Sequence, residues 1–599
     1  MLSAASLVTL VTGARADTEL STVKVDTPRG TFVFTKYLGS DDKVYERVQD
    51  ERGAGVAIAA VPSTPVSPIS RALEVELRRL NARDARVTVD ISLRDDVPRG
   101  GPDGSAAAES VTNQSIEPTG TINGARAGLG EFAADTVRIS RELEEAQATR
   151  RGLRLEILNK LSSVEGLQLS GRELEQASDA FGPLVRTIAA GDVERLVREY
   201  GDLIAAIDLH QEGKDDTLAT ALADTSVDPG ARQLSDSQGT GIGVYLTESG
   251  CPPAGFITSY TLLAGSNTDH SRNTTSILRA VSPNAWLYCR GPADLPTAAQ
   301  LLGSGGNPRV HIVSRSNGSA ATEYVALDRD WDNFTYDNAV IVSKSAGNNN
   351  TSGAITAPGN GLNMITVGNY NDATNTIAAS SSAADPTNTR NRKPELAAPG
   401  ENIDAGGFTM SGTSMAAPHV AGMLADAMQA YPWLQLRPAI AKSHMIAAAT
   451  DVISGGVDAV GEGGADYLSG YYAFHDFWWW GGNGYFNTAA DSDGLPGNGS
   501  VDVLFNFSAG QPVRVALAWP NRGTYTFDHR GDPHPIGIDL DLYVYAPNGT
   551  LVSGSASWDN PYEAVSFTAP QTGTYRVAIR RFANRDTAAI SDMGLTINW

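Results

Sequence analysis

The sequence predicts an α/β protein with a parallel sheet flanked by helices, preceded by an α+β region and followed by an all-β sandwich. Between about 230 and 480, short apolar strands alternate with helical segments, which is typical of a parallel sheet covered on both faces. From about 498 to 599 only strands separated by turn residues are predicted, as in an antiparallel sandwich. A chain of 599 residues is long enough for about three or four such units.

The N-terminal region, residues 17–229, is predicted to be one α+β unit. The segment "RVTVDISL" (86–93) alternates like a strand, and residues 136–163 form a long charged helix with an apolar stripe. The stripe consists of Ile139, Leu143, Leu153 and Ile157. No constellation of catalytic residues is recognised in this region.

Composition and charge exclude two classes of partner. The net charge of −22 argues against nucleic-acid binding, which needs clustered Lys and Arg, and no apolar run of about 18 residues predicts a membrane span. A short apolar stretch followed by Ala14-Arg15-Ala16 is typical of a signal-peptide cleavage site. Residues 1–16 are therefore a predicted signal peptide, and the protein is expected to be secreted.

Two cysteines, Cys251 and Cys289, are the whole cysteine content of the chain. In an exported protein such a pair is expected to form one disulfide, although two free thiols are the alternative. Cys251 follows one predicted strand and Cys289 ends the next, so the two strand ends could meet in a sheet.

The segment "MSGTSMAAPHVAGMLADAM" (410–428) carries the clearest chemical signal. Small residues surround Ser414, and a helix begins at once, so Ser414 lies at a helix N-terminus where free N–H groups favour an oxyanion. For an isolated serine, a helix N-cap would be the simpler interpretation. The whole string, however, resembles the active-site serine motif of the subtilisin-like serine peptidases, and the resemblance spans about 238–450.

The resemblance implies further catalytic residues in the family's order of acid, histidine, asparagine and serine. His270, in "TDHSRNTTSILRAVSPNAWLYC", corresponds to the general base, and the alternative is a histidine in a surface loop. Asn348, in "IVSKSAGNNN", corresponds to the oxyanion donor, and the alternative is a Gly-Asn turn.

The acid of the triad is expected to be Glu248. The family's first motif is an apolar strand followed by Asp, Ser or Thr, and Gly, and "VYLTESG" matches it with Glu248 at the Asp position. A carboxylate is needed there because imidazolium forms beside it. Asp208 and Asp269 are the two alternative acids.

Two segments resemble the strands that bind substrate backbone in this family. Strand addition of this kind uses main-chain hydrogen bonds, so the partners are expected to be protein or peptide substrates. The residues on one side are Ser316, Asn317 and Gly318, and those on the other side are Ser345, Ala346 and Gly347.

The flanking regions also resemble parts of this family. The N-terminal region resembles, in position, a propeptide that inhibits the enzyme until it is cleaved, with processing expected at about 213–235; a permanent accessory domain is the alternative. The C-terminal region resembles a jelly-roll-like sandwich. The expected boundaries are 1–16, 17–229, 230–485 for the catalytic domain, 486–497 for a linker, and 498–599 for the sandwich.

No cofactor is expected for catalysis, and a structural calcium ion is a candidate ligand of the sandwich. Asp539, Asp541 and Asp559 are hard oxygen ligands in the sandwich, and solvated acids at strand ends are the alternative. The aromatic segment "FWWWGGNGYF" (477–486) is predicted to be a contact between domains, or otherwise an exposed docking patch.

Three functions are compatible with these features. The leading one is a serine endopeptidase that acts through an acyl-enzyme on Ser414. The alternatives are an inactive homologue kept as a binding protein and a surface protein whose sandwich is the functional part. The intact serine motif together with Asn348 favours the enzyme, because a binding protein has no use for an oxyanion site.

Overall fold

The computed structural model describes most of the chain in ranges interrupted by gaps. The predicted signal peptide, the predicted linker and almost all of the expected processing segment lie outside these ranges. The described residues are 18–27, 30–39, 44–56, 68–80, 82, 84–95, 129–162, 164, 166–209, 214–215, 238–292, 294–303, 306–371, 374–450, 453–465, 475–480, 500–586 and 593–599.

Three N-terminal strands form an antiparallel sheet: β1 (Thr18–Thr27), β2 (Gly30–Leu38) and β3 (Val44–Asp50). The apolar side chains of this meander do not join the rest of the N-terminal region. Phe34 and Val48 pack with Tyr543 and Trp558 of the C-terminal sandwich. The predicted single unit 17–229 therefore consists of two bodies that pack in different places.

The second N-terminal body is an α+β unit with its own core. Its three antiparallel strands are ordered β5-β4-β6. Its elements are α1 (Arg71–Leu80), β4 (Arg86–Leu93), α2 (Leu129–Leu161), α3 (Gly171–Asp179), β5 (Leu184–Ala189), α4 (Ala190–Tyr200) and β6 (Ile204–Leu209). The predicted strand and long helix are confirmed. Of the predicted stripe, Leu143 and Ile157 are buried, but Leu153 is 36% exposed because it lies on the outer side of α2.

The central region is the predicted parallel sheet, with strands in the order β16-β15-β13-β11-β8-β10-β9 and β17 beside β15. Its strands are β8 (Gly243–Thr247), β9 (Tyr260–Ala264), β10 (Trp286–Arg290), β11 (Val310–Arg315), β13 (Ile341–Ser345), β15 (Ile365–Asn371), β16 (Thr376–Ile377) and β17 (Leu396–Pro399). Only β16 pairs antiparallel in this sheet. Because the other strands are parallel, the residues that follow β8, β11 and β13 come together at one edge.

Helices cover the sheet, and short strands border its carboxyl edge. The helices are α5 (Asp269–Val281), α6 (Ala298–Leu302), α7 (Ala326–Asn338), α8 (Thr413–Ala430), a 3₁₀ turn (Pro432–Leu434), α9 (Pro438–Ala448) and α10 (Val457–Val460). The short strands are β7 (Lys214–Asp215), β12 (Asn317–Ala320), β14 (Thr356–Ala357), β18 (Ile403–Ala405) and β19 (Phe408–Met410). Among the described helices, none is long and apolar enough to cross a bilayer.

The C-terminal region is an antiparallel sandwich of two four-stranded sheets, as predicted. Its elements are β20 (His475–Trp480), β21 (Ser500–Phe507), β22 (Pro512–Ala518), α11 (Gly523–His529), β23 (Ile538–Tyr545), β24 (Leu551–Ser555), β25 (Tyr562–Thr568), β26 (Gly573–Asn584) and β27 (Met593–Asn598). β20 pairs with β27, so the expected catalytic boundary at 485 is corrected: the sandwich includes 475–480. The rest of the aromatic segment, 481–486, lies outside the described residues.

Candidate active site

Glu248 follows β8 directly and is fully buried. Its backbone N–H donates to the Arg290 carbonyl over 3.2 Å. The turn after it is tight, because a Cβ on Gly250 would lie 2.4 Å from the Ser266 carbonyl and one on Gly291 would lie 2.8 Å from the Gly250 Cα. The backbone that carries Glu248 is therefore closely confined.

A disulfide joins Cys251 to Cys289, with the two Cα atoms 5.8 Å apart. The predicted pairing is confirmed. Cys289 lies on β10, opposite Leu246 of β8, and Cys251 comes three residues after Glu248. The bridge therefore ties the turn after Glu248 to the neighbouring strand.

His270 is the second residue of α5 and is 4% exposed. The helix begins at Thr268, whose hydroxyl accepts from the Ser271 N–H over 3.1 Å in a capping box. This cap fixes where the helix begins and therefore the direction of the His270 side chain. Its Nδ1 lies 3.3 Å from Glu248 Oε2. The structure thus brings together the predicted base and the predicted acid.

Asn273, which the sequence analysis did not select, connects the histidine helix to the segment before the serine. Its Nδ2 lies within hydrogen-bonding distance of the carbonyls of Ile403, Ala405 and Phe408, at 3.2, 3.2 and 2.8 Å. These carbonyls belong to the β18–β19 hairpin that precedes α8. The only feature of the sequence that could have indicated this contact was an asparagine three residues after His270, and an asparagine at that spacing is not specific by itself.

Ser414 is the second residue of α8, in the first helical turn, where N–H groups lack acceptors within the helix. Its Oγ donates to the Ser316 carbonyl over 3.0 Å, and Ser316 Oγ donates in return to the Ser414 carbonyl over 3.0 Å. The serine and one of the predicted substrate segments are therefore directly connected. Ser414 does not itself cap α8, since Gly412 is the N-cap residue.

Asn348 lies beside the start of the same helix. Its Oδ1 accepts from the Thr413 backbone N–H over 3.0 Å and from the Thr413 hydroxyl over 3.2 Å. Gly412 has φ +139°, and a Cβ there would lie 2.7 Å from Asn348 Nδ2, so glycine is required at this position. Within the described part of the chain, the buried Nδ2 atom has no hydrogen-bond acceptor. The Oδ1 atom of Asn348 is thus held by two hydrogen bonds, and its Nδ2 atom remains uncommitted as a donor.

The two predicted substrate segments both contact the start of α8, where Ser414 lies. Asn317 and Gly318 belong to β12, whose antiparallel neighbours are β7 and β14. Opposite them, the Gly347 N–H donates to Thr413 Oγ1 over 3.0 Å. All six residues are buried: Ser316, Asn317, Gly318, Ser345, Ala346 and Gly347.

Neither alternative acid is placed to serve His270. Asp208 Oδ2 accepts from the Ala326 N–H over 2.7 Å, at the start of α7, and Asp269 is exposed. Among the other histidines, burial lowers the pKa of His419 to about 4, and its Nδ1 contacts the Met415 carbonyl. Burial likewise lowers the pKa of His311 to about 3. Both rings are neutral structural groups at neutral pH.

The three acids named as candidate calcium ligands have cationic side chains as partners. Lys36 Nζ, from β2, lies 2.7 Å from Asp539 Oδ1 and 3.0 Å from Asp541 Oδ1. Asp559 Oδ2 instead faces Arg390 Nε at 3.9 Å. Among the described residues, no group of three or more His, Cys, Asp or Glu side chains is arranged to hold a metal ion. Asp539 and Asp541 are thus paired with one lysine, and Asp559 faces an arginine.

Two family profiles match parts of this chain. Residues 250–471 match the profile of the Subtilase family, and residues 500–581 match that of the bacterial pre-peptidase C-terminal domain. Similar solved structures include the patellamide maturation protease PatA, at 18% identity and a TM-score of 0.32, covering 39% of this chain and 96% of that one. The prenylagaramide maturation protease PagA matches at 19% identity and a TM-score of 0.33, covering 41% of this chain and 98% of that one.

Proposed function

Because this chain carries a subtilase-family peptidase domain, we propose that it is a secreted serine endopeptidase with a Ser414-His270-Glu248 triad. The observation that carries the proposal is the uncommitted Nδ2 of Asn348, held beside the helix N-terminus that presents Ser414. An unsatisfied buried donor costs stability. Its placement is explained if it stabilises an oxyanion that forms only during the reaction.

The reaction begins with attack of Ser414 Oγ on the substrate carbonyl carbon. His270 accepts the hydroxyl proton, and Glu248 stabilises the imidazolium that forms. Asn348 Nδ2 and the Ser414 N–H donate to the oxygen that becomes negative. His270 then gives its proton to the leaving amine, and the acyl-enzyme remains on Ser414 until water hydrolyses it.

Substrate binding itself prepares the nucleophile. The Ser414 hydroxyl donates to the Ser316 carbonyl in this structure. A peptide that adds to β12 brings a backbone N–H to the same carbonyl. The carbonyl then no longer holds the serine proton, and the hydroxyl can turn toward His270.

The N-terminal α+β body acts as the inhibitor of the precursor. β7 of the same chain pairs with β12, where a substrate would bind, with Asp215 opposite Asn317 and Lys214 opposite Gly318. The body is anchored on α7 as well, because Ser92 Oγ donates to Asp330 Oδ2 over 3.0 Å and Gln147 Nε2 donates to Asn338 Oδ1 over 2.8 Å. Activation therefore requires cleavage after β7 and release of this body.

Labelling with a fluorophosphonate probe tests the proposal, with Ser414→Ala as the matched control. We expect the mature wild-type protein to be labelled and to cleave casein. Ser414→Ala should show neither property and should stay at full length, since its own cleavage is lost. Casein cleavage by Ser414→Ala at the wild-type rate would refute the assignment, and an unlabelled, inactive wild type would favour a binding protein.

A further inference from the structure

A fully buried lysine lies between the two segments that flank Ser414. Lys344 is the fourth residue of β13, and its side chain has no exposed surface. Its ammonium donates to Ser345 Oγ over 2.9 Å and to Thr356 Oγ1 over 3.0 Å, and also to the Ser345 carbonyl. Burial of an ammonium group is costly, so its position calls for an explanation.

Thr356, which accepts a hydrogen bond from this ammonium, contacts both segments that flank Ser414. A Cβ on Gly318 would lie 3.0 Å from Thr356 Oγ1, and a Cβ on Gly347 would lie 2.7 Å from Thr356 Cγ2. Thr356 therefore touches both walls, the Ser316–Gly318 segment and the Ser345–Gly347 segment. Since Lys344 donates to Thr356, its ammonium lies close to both segments.

The pairing of β7 with β12 indicates which part of a substrate enters this space. A peptide bound in the register of Lys214 and Asp215 runs antiparallel to β12, and its next residue comes opposite Ser316. The Ser316 carbonyl is the acceptor of the Ser414 hydroxyl. That residue of a substrate is therefore the one whose carbonyl Ser414 attacks, and its side chain enters between the two walls.

We propose that Lys344 makes this peptidase selective for an acidic residue, Asp or Glu, immediately before the scissile bond. The inference rests on the proposed function and adds its substrate class. A substrate carboxylate that reaches the ammonium forms an ion pair with it. Because the ammonium is buried away from water, such a pair is strong and short. Gly318 and Gly347 carry no side chains, and both pack directly against Thr356, the threonine that holds the ammonium.

The sequence of the chain's own inhibitory segment fits this preference. The described pairing ends at Asp215, and the sequence continues with Asp216 and Thr217. The first residue beyond the pairing is thus acidic. If precursor cleavage follows the same rule, the mature protein begins at Thr217.

Fluorogenic peptides that differ only in the residue before the scissile bond test the inference. With Asp or Glu there, we expect kcat/KM on the order of 100-fold above that of the Asn or Gln peptide, because a site built for a polar group rejects its analogue strongly. In Lys344→Gln this ratio should fall to near one, and in Lys344→Arg it should stay well above one. Arg576→Gln removes an equal charge from a partly exposed position of the sandwich and should leave the ratio unchanged.

The outcomes separate this inference from the proposed function. An unlabelled wild type that cleaves none of the peptides refutes the proposed function. A labelled wild type that prefers a neutral or apolar residue, or a labelled Lys344→Gln that keeps the acidic preference, refutes the inference alone. Should Lys344→Gln fail to fold, the wild-type ratio and the Lys344→Arg ratio decide between the same results.

Discussion

Two regions of this protein bury carboxylates on apolar strands, and their partners differ. Glu248, at the end of β8, has His270 Nδ1 at 3.3 Å. Asp539 and Asp541, on β23, hold the ammonium of Lys36, which also lies 4.3 Å from the centre of the Phe582 ring. The imidazole can gain and lose a proton near neutral pH, whereas the lysine stays charged. The comparison teaches that the partner determines whether a buried carboxylate takes part in chemistry or in stability.

The electrostatics of the second site agree with a structural role. Burial by itself would lower the pKa of Lys36, but Asp539 and Asp541 overcome that effect and raise the pKa above its usual value. Lys36 therefore remains an ammonium over the neutral range. It connects β2 to β23 across two parts of the chain that are 503 residues apart in sequence.

Glu248→Gln should produce the largest effect of the substitutions that test this comparison. The amide keeps the size of the side chain but cannot stabilise imidazolium, and it can hold the wrong tautomer of His270. A comparable substitution in a Ser-His-Asp enzyme lowers kcat by about 10⁴, so we expect a loss of about 10³ to 10⁴ here. Turnover of a fluorogenic peptide measures it, and the melting temperature should change little. Activity within about threefold of wild type would remove Glu248 from the mechanism.

Lys36→Met should reverse the pattern and affect stability instead of turnover. Removing one partner leaves Asp539 and Asp541 buried without their cation, which costs about 3–5 kcal/mol in buried pairs of this kind. We expect the urea midpoint of the unit formed by β1–β3 and the sandwich to fall accordingly. Lys24→Met, at an exposed position of β1, is the matched control. Equal midpoints for the two variants would show that the Lys36 pairs contribute nothing.

The two sites also differ in how far sequence could predict them. Ser414, His270, Asn348 and Glu248 each lie at the end of a short local pattern, a strand or helix boundary with small residues around it, and motif order links them. Lys36 carries no such signal, because its partners come from a strand more than 500 residues later in the chain. Without that contact, the acids could be interpreted only as calcium ligands or as solvated acids at strand ends.

The same reason explains why the domain boundaries were less predictable than the catalytic centre. No strand pattern was recognised at β1–β3, and β20 was predicted only as part of an aromatic contact between domains, because local sequence does not specify which sheet a segment joins. β20 joins β27 by backbone pairing, and the N-terminal meander packs on the sandwich through residues such as Phe34. Nothing in the local sequence distinguishes Lys344 from the other residues of its strand, since only the fold places Thr356 beside it.

Asn348→Ala should have a smaller effect than Glu248→Gln. Unlike Lys36, whose described hydrogen bonds go to two carboxylates and a carbonyl, Asn348 keeps one buried donor uncommitted. Loss of one oxyanion donor typically costs about 10² to 10³ in kcat, and KM should change little because the interaction forms during the reaction. Asn349→Ala, at the exposed neighbouring position, should stay within a few-fold of wild type. Equal kcat values for the two variants would exclude Asn348 as the donor.

Glu248→Asp should have the smallest effect of these substitutions, because it keeps the negative charge and changes only the length of the side chain. It therefore tests the position of the carboxylate separately from its charge. His270 Nδ1 lies 3.3 Å from Glu248 Oε2, which is already longer than the about 2.7–2.9 Å of charge-assisted hydrogen bonds. Any further separation of the two atoms therefore breaks the contact. A side chain shorter by one carbon–carbon bond, about 1.5 Å, loses the contact unless the backbone follows it.

The surroundings of β8 oppose such a backbone movement. The Cys251–Cys289 bridge holds the turn after Glu248, and Gly291 already lies against Gly250. A displacement of about 1 Å can cost about 10²-fold in rate, so we expect kcat to fall by about 10- to 100-fold. Activity equal to or above that of the wild type would mean that the strand end moves toward His270 despite the bridge, and that glutamate at this position is not required by the backbone. A fall as large as that of Glu248→Gln would mean that the position of the carboxylate counts as much as its charge.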